Sequence, residues 1–438
     1  MSRRTGPPGS AGGERVVISF TGVLVVGIVS VLVPLVLGFV PALTVPGAVL
    51  EVIAGIVIGP AVLGWVHDDV AITVLSDLGL GMLLFLAGLE IDVGTLREAS
   101  GRLAGEAFAV SAVLGIAFGF ALAALGLTSR PVFLGVVLMS TSAGLLLPVL
   151  KDAVEETTRF GQLVMTAGAL AEVGPIVLLS LLFSAASRTT ASRLASLAIF
   201  LVLLAVLAVA LGRVRRLNAL DRLLDRLEDR SAQLRVRATL TLSLAFGVLA
   251  YQFGFASILG AFAAGLLVRV IDLTGRTPHP QFEIKLQGIG FGFLIPIFFI
   301  ATGIRFDLRA LLSHPVAIAE VPLFLVALLA VRGLPALLYV RFTGRRRAAV
   351  AGLMQATTLT FVIVATQIGV AAGLISTTTS ASLLTAGLLS AAVFPTLALR
   401  LLSPPQPAEP QPAIPEPAAA PPSDPSAGPG TPTIPRTT

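Results

Sequence analysis

Apolar runs of about 20 residues, hardly broken by charge, recur along most of this 438-residue chain. Such a run makes a helix that crosses the ~30 Å hydrocarbon layer of a bilayer. The runs are continuous rather than alternating, which argues for helices and against a membrane barrel. Composition agrees, with 55% hydrophobic and 12% charged residues and a mean hydropathy of +0.94. A soluble domain carries roughly 25% charge.

Several function classes fall away at once. The chain has no cysteine, which removes disulfides, iron–sulfur clusters and thiol chemistry. His67, His279 and His314 all fall in expected loops, so neither a zinc site nor a cofactor is expected. The net charge of +6 fits a charge bias across a membrane better than nucleic-acid binding. Ser2-Arg-Arg-Thr5 resembles a twin-arginine signal, but the apolar stretch behind it is too long for one.

Charged and Pro/Gly breaks divide the chain into thirteen expected spans: 16–40, 45–65, 70–90, 103–126, 131–150, 158–184, 190–212, 238–254, 257–273, 285–304, 315–341, 347–372 and 377–402. With the N-terminus outside and the C-terminus cytoplasmic, twenty of the thirty Lys and Arg fall inside and eight outside. That excess selects this orientation in the cell membrane. Residues 213–237 carry leucines at helical spacing among both signs of charge, and read as an amphipathic cytoplasmic linker helix between two halves. Residues 1–15 and the Pro/Ala-rich tail 403–438 read as disordered. The membrane domain is thus 16–402.

Two charges lie deep in apolar runs. Glu172 sits near the middle of 158–184, and Arg332 mid-way along 315–341. An acid at the bilayer centre costs at least ~2.5 kcal/mol, so it marks a functional site by default. Pro175 and Pro335 each follow their charge by three residues and free a carbonyl beside it, at Ala171 and Val331. Those carbonyls either help coordinate a cation or mark simple kinks. Glu51 is the other deep acid, with an accessory or a packing role. Glu90 and Asp92, and Arg305 and Asp307, read as interfacial anchors at opposite helix ends.

Two spans concentrate polar and small residues at their centres. One holds Ser140, Thr141, Ser142 and Gly144; the other holds Gln355, Thr357, Thr358 and Thr360. Either alone suits ordinary helix packing. Their corresponding positions in the two halves favour a transporter site built from broken helices.

Four stretches, in order, carry a resemblance: Val45–Gly64 with its Pro-Gly and Glu-Val-Ile-Ala-Gly elements, Leu78–Asp92, Leu259–Leu266 and Gly290–Gly303. Together they resemble the monovalent cation:proton antiporter-2 family of bacterial exchangers. The resemblance implies an all-α fold of thirteen helices in inverted repeats, a homodimer, and an elevator-like shift of a core against a dimer domain. It also implies that Glu172 binds the cation or the proton, with Arg332 as its basic counterpart. Thr141, Ser142, Thr357 and Thr358 then supply ion-facing oxygens, with Ser140, Gln355, Thr360 and Glu51 as accessories. The chain departs from the family at the acid pair. Family members carry Asp-Asp, Asn-Asp or Gln-Asp where this chain has Ala171-Glu172. A nucleotide-binding regulatory domain, as in glutathione-gated potassium-efflux members, is not expected.

The expected function is secondary antiport of Na⁺ or K⁺ against protons at one carboxylate. Protonated or cation-bound Glu172 is neutral and crosses between access states; the bare carboxylate is held back. Arginine does not shed its proton, so a lone carboxylate predicts electroneutral 1:1 exchange. A passive channel would show a pore ring or selectivity loop, and an organic-anion symporter more mid-membrane basic groups. A membrane enzyme would need a nucleophile–base pair or phosphate loop, and none is evident.

Overall fold

The computed structural model describes residues 20–39, 45–91, 99–155, 157–182, parts of 195–213, 234–273 and 280–402. The expected N-terminal segment 1–15, most of the span 190–212 and of the 213–237 linker, Asp92, His279 and the tail 403–438 lie outside these residues. Every described element is helical, as the continuous apolar runs require, because a backbone in hydrocarbon must satisfy its own hydrogen bonds.

The elements in chain order are α1 (Phe20–Phe39), α2 (Gly47–Ile58), α3 (Val70–Glu90), α4 (Ala99–Ala124), α5 (Pro131–Leu138), α6 (Ala143–Asp152), α7 (Arg159–Leu182), α8 (Leu234–Gln252) and α9 (Ser257–Leu273). There follow α10 (Pro280–Ile289), α11 (Ile295–Ile304), α12 (Leu308–Ser313), α13 (Pro315–Leu328), α14 (Val340–Gln355), α15 (Thr360–Ala371) and α16 (Thr377–Leu401). Among the described residues, seven helices are long and apolar enough to cross a membrane, and several shorter apolar ones accompany them.

Two helices change pitch ahead of a proline. α10 joins α11 through a π turn, Gly290–Leu294, two residues before Pro296. α13 continues through a second π turn, Leu329–Gly333, two residues before Pro335, and then a 3-10 stretch, Leu334–Tyr339. Proline lacks an N–H and crowds the carbonyl four residues earlier, so the turn before it widens. The second of these turns carries Arg332. Gly344, at φ +79°, ends the long run begun at Pro315 and lets α14 restart. The short helix α12, started by an Asp307 carboxylate that accepts from the Ala310 N–H at 2.8 Å, was not expected from the sequence.

Glycine sets how closely the helices pack. A Cβ on Gly55 of α2 would sit 2.1 Å from the Ile300 carbonyl of α11, and one on Gly303 would sit 2.1 Å from the Val52 carbonyl. The α2–α11 pair is therefore joined backbone to backbone, as small residues permit in membranes. Helices α1 to α3 pack with α8, α9 and α11, whereas α4 packs with α5 and α7, and α16 with α13, α14 and α15. Of the membrane-length windows, 17% of α1 is buried and 61% of α7, so α7 is central and α1 peripheral.

Candidate functional site

The two polar clusters fall where their helices stop. α5 ends at Leu138 and α6 begins at Ala143; α14 ends at Gln355 and α15 begins at Thr360. The non-helical links cross, and the crossing is stitched by backbone bonds. The Ser142 N–H donates to the Thr357 carbonyl at 3.0 Å, and the Thr141 N–H donates to the Ala171 carbonyl at 3.1 Å. The latter is the carbonyl that Pro175 releases within α7, and here it holds the crossing together.

Side chains complete the stitching. Ser142 Oγ accepts from the Leu359 and Thr360 N–H groups at 2.9 and 3.0 Å, capping α15. Ser140 and Thr358 pair through their hydroxyls at 2.9 Å, and Ser140 also donates to the Val137 carbonyl. Thr141 donates to the Gln355 carbonyl, and Thr357 to that of Leu353. All these hydroxyl residues are buried. Unwound backbone survives in an apolar layer only when its groups find such partners.

Two charged side chains sit at opposite electrical poles of this crossing. The N-termini of α6 and α15 converge on one side, where the helix dipoles leave a partial positive charge. Glu172 lies there, its Oε2 accepting from the Ala143 N–H at 3.2 Å. The C-termini of α5 and α14 converge on the other side, which is partly negative. Arg332 lies there, 1% exposed. It donates from Nε to Thr141 at 2.8 Å, from Nη1 to Ser111 of α4 at 2.7 Å, and from Nη2 to Gln355 at 3.3 Å. Gln355 passes a hydrogen bond on to the Tyr339 hydroxyl at 3.2 Å. No ion pair joins Glu172 to Arg332. Each charge faces helix ends of opposite polarity instead.

Glu172 opens onto a cavity of about 540 Å³ bounded by α2, α3 and α11 on one wall and α6, α7, α15 and α16 on the other. Glu51, Glu90 and Thr360 also line it. Thr141, Ser142, Thr357 and Thr358 are not among the lining residues. Glu90 ends α3 and is exposed, so the cavity reaches one face of the bundle. Contacts at helix ends include Arg347 to Glu155 at 2.7 Å and Arg346 to the Leu401 carbonyl at 2.6 Å. Arg305 binds Asp68 at 2.8 Å, with Thr73 and Ser76 beside it, and Asp307 caps α12.

Ser111, Tyr339 and Ser390 belong to the site but were not singled out from the sequence. Ser390 of α16 accepts from the Thr358 N–H at 3.1 Å and lies 2.8 Å from the Thr358 carbonyl. Their only signal was a lone polar residue in an apolar run. No group of three or more His, Cys, Asp or Glu that could hold a metal ion occurs among the described residues.

Residues 27–402 match the family described as Sodium/hydrogen exchanger, transmembrane. The chain belongs to this family. The family is one of transporters rather than enzymes, and the resemblance to the monovalent cation:proton antiporter-2 exchangers holds. The chain is 28% identical over 383 residues to a Bacillus subtilis (strain 168) protein provisionally named Na(+)/H(+) antiporter YjbQ, covering 84% of this chain and 60% of that one. It is 29% identical over 268 residues to the Na(+)/H(+)-K(+) antiporter GerN of Bacillus cereus, covering 60% of this chain and 66% of that protein. The chain thus spans about three-fifths of YjbQ and two-thirds of GerN. Its fold resembles that of the sodium proton antiporter MjNhaP1 from Methanocaldococcus jannaschii, with a TM-score of 0.58 at 15% identity over 87% of this chain and 97% of that one.

Proposed function

We propose that this chain exchanges a monovalent cation, Na⁺ or K⁺, for protons across the cell membrane by alternating access. One observation carries the reading. Glu172 is a buried acid at the head of an open cavity, held by a helix N-terminus and, among the described residues, by no basic side chain. A carboxylate so placed exchanges a proton for a cation as the cavity is hydrated, and either ligand neutralises it. Relatives named as Na⁺/H⁺ and Na⁺/H⁺-K⁺ antiporters support that substrate class.

In this proposal Glu172 and Thr360 present oxygens to the cation. Thr141, Ser142, Thr357 and Thr358, with Ser140 and Gln355, hold the crossing in register. Arg332 offsets the C-terminal dipoles of α5 and α14 and pins Thr141. The architecture is read as thirteen spans in inverted repeats, in residues 16–402. A core of α4 to α7 with α13 to α16 shifts against a dimer-forming panel of α1 to α3 with α8 to α11, and the protein works as a homodimer. The cavity then faces the cytoplasm, with the N-terminus outside and the tail inside.

Everted membrane vesicles test the site. Wild type should release a respiration-driven proton gradient on addition of NaCl or KCl, and Glu172→Gln should not; retained cation-coupled release in that variant overturns the assignment. Stoichiometry is tested separately on solid-supported proteoliposomes. Because Ala171 offers no second acid beside Glu172, a cation gradient should evoke no steady transport current. A current reversing at the potential for two protons per cation would defeat 1:1 exchange.

A further inference from the structure

The cavity below Glu172 holds an acid that neither the fold nor the proposed exchange step uses. Glu51 is 9% exposed, lines the cavity, accepts no hydrogen bond and forms no ion pair among the described residues. A buried charge with no partner is expensive, and ordinary helix packing does not call for one. Its helix is fixed by the close backbone contact of Gly55 with Ile300 and Gly303 of α11, so the carboxylate sits on a rigid wall. Glu172 belongs to the opposite wall. Among the described residues, no Lys or Arg lines the space between them.

Three acids share this cavity. Glu90 is exposed at the end of α3. Glu51 lies one turn inside α2, roughly 6 Å from its start at a rise of ~1.5 Å per residue. Glu172 lies about 20 Å along α7 by the same rise. All three line the one cavity, so a cation entering at Glu90 has Glu51 on one wall and Glu172 on the other.

We propose that Glu51 is a second cation-binding carboxylate, a station that holds a partly dehydrated monovalent cation between the cavity mouth and Glu172. The proposal rests on the exchange reading above. The two carboxylates stand on opposite walls, so the cation passes from a fixed group to one on the other helix set. In a cavity whose charged lining residues, among those described, are all acids, the low-dielectric walls focus the field and concentrate cations. Glu51 thereby sets apparent affinity, while Glu172 sets coupling.

The test is the cation dependence of proton movement in proteoliposomes loaded with a pH-sensitive dye, over a series of NaCl and of KCl. Glu51→Gln keeps the volume and removes the charge. It should raise the cation KM about tenfold, as loss of one close charge in a screened cavity requires, and leave the maximal rate within about twofold. Glu51→Asp keeps the charge on a shorter arm and should raise the KM only about two- to threefold, short of the Glu51→Gln change but clear of wild type. An unchanged KM in Glu51→Gln overturns the proposal, as does a fall in maximal rate alone, which marks a packing role. A Glu51→Gln protein that does not fold, with a Glu51→Asp KM equal to that of wild type, also overturns it, because a shorter carboxylate at a binding station must alter affinity. If wild type moves no protons with any cation, the exchange reading itself fails.

Discussion

The two ends of the helix crossing hold the two buried charges in opposite ways. Arg332 donates from all three guanidinium nitrogens, to Thr141, Ser111 and Gln355, and is buried. Glu172 has one backbone donor and an open cavity in front of it. Three directed hydrogen bonds fix a residue in one state, while a sparsely held carboxylate is free to change its ligand. The contrast assigns structure to one pole and exchange to the other.

The largest expected effect is at the exchange pole. Glu172→Gln keeps the shape and the hydrogen-bonding capacity, so the crossing should stay folded while coupled transport falls to background. Thermal unfolding in detergent, by a reporter such as the size-exclusion profile after heating, should shift little. If transport is lost only in step with folding, the division between the poles breaks down.

Arg332→Ala should do the reverse. It strands Thr141, Ser111 and Gln355 in an apolar layer and leaves a void, costing about 3 kcal/mol or more of stability. Arg332→Lys keeps the charge but reaches fewer of those acceptors, and should cost about 1.5–3 kcal/mol. Equal transport loss in Arg332→Ala and Arg332→Lys without any loss of stability would show that Arg332 acts on the ion directly.

How much of this was legible beforehand depends on what each signal is made of. Glu172, Arg332 and the two polar clusters stood out because a polar residue in an apolar run is costly and visible one residue at a time. Pro175 and Pro335 were visible for the same reason. That the charges face helix ends and not each other was hidden, because it depends on how two half-helices cross. The sequence reads the carbonyl of Ala171 as helping to coordinate a cation or as marking a kink; that it also accepts from the Thr141 N–H was not visible there. The cavity wall was equally hidden, since α2, α3, α11 and α16 contribute from distant parts of the chain. Ser111 and Ser390 gave no more signal than any lone serine in a membrane helix.

Two threonines sharpen the comparison at lower amplitude. Thr360 lines the cavity and Thr358 does not. Thr360→Val removes one oxygen from the ion's side and should raise the cation KM by about fivefold, the equivalent of about 1 kcal/mol. Thr358→Val removes the hydroxyl paired with Ser140, and should lower stability by about 1 kcal/mol with KM unchanged. Exchanged outcomes would place the ion in the crossing itself.

The smallest effect belongs to Ser390. Its Oγ accepts from the Thr358 N–H, one of the few donors in the unwound link with no backbone partner of its own. Alanine there leaves that N–H without its acceptor in a buried layer. Membrane hydrogen bonds average ~0.6 kcal/mol because the unfolded chain also finds partners, so Ser390→Ala should cost about 0.5–1 kcal/mol. The loss should appear in thermal unfolding alone, since Ser390 touches neither Glu172 nor the cavity. A shift in cation KM in Ser390→Ala, at unchanged stability, would mean that the link moves during transport and that its hydrogen bonds are remade with each cycle.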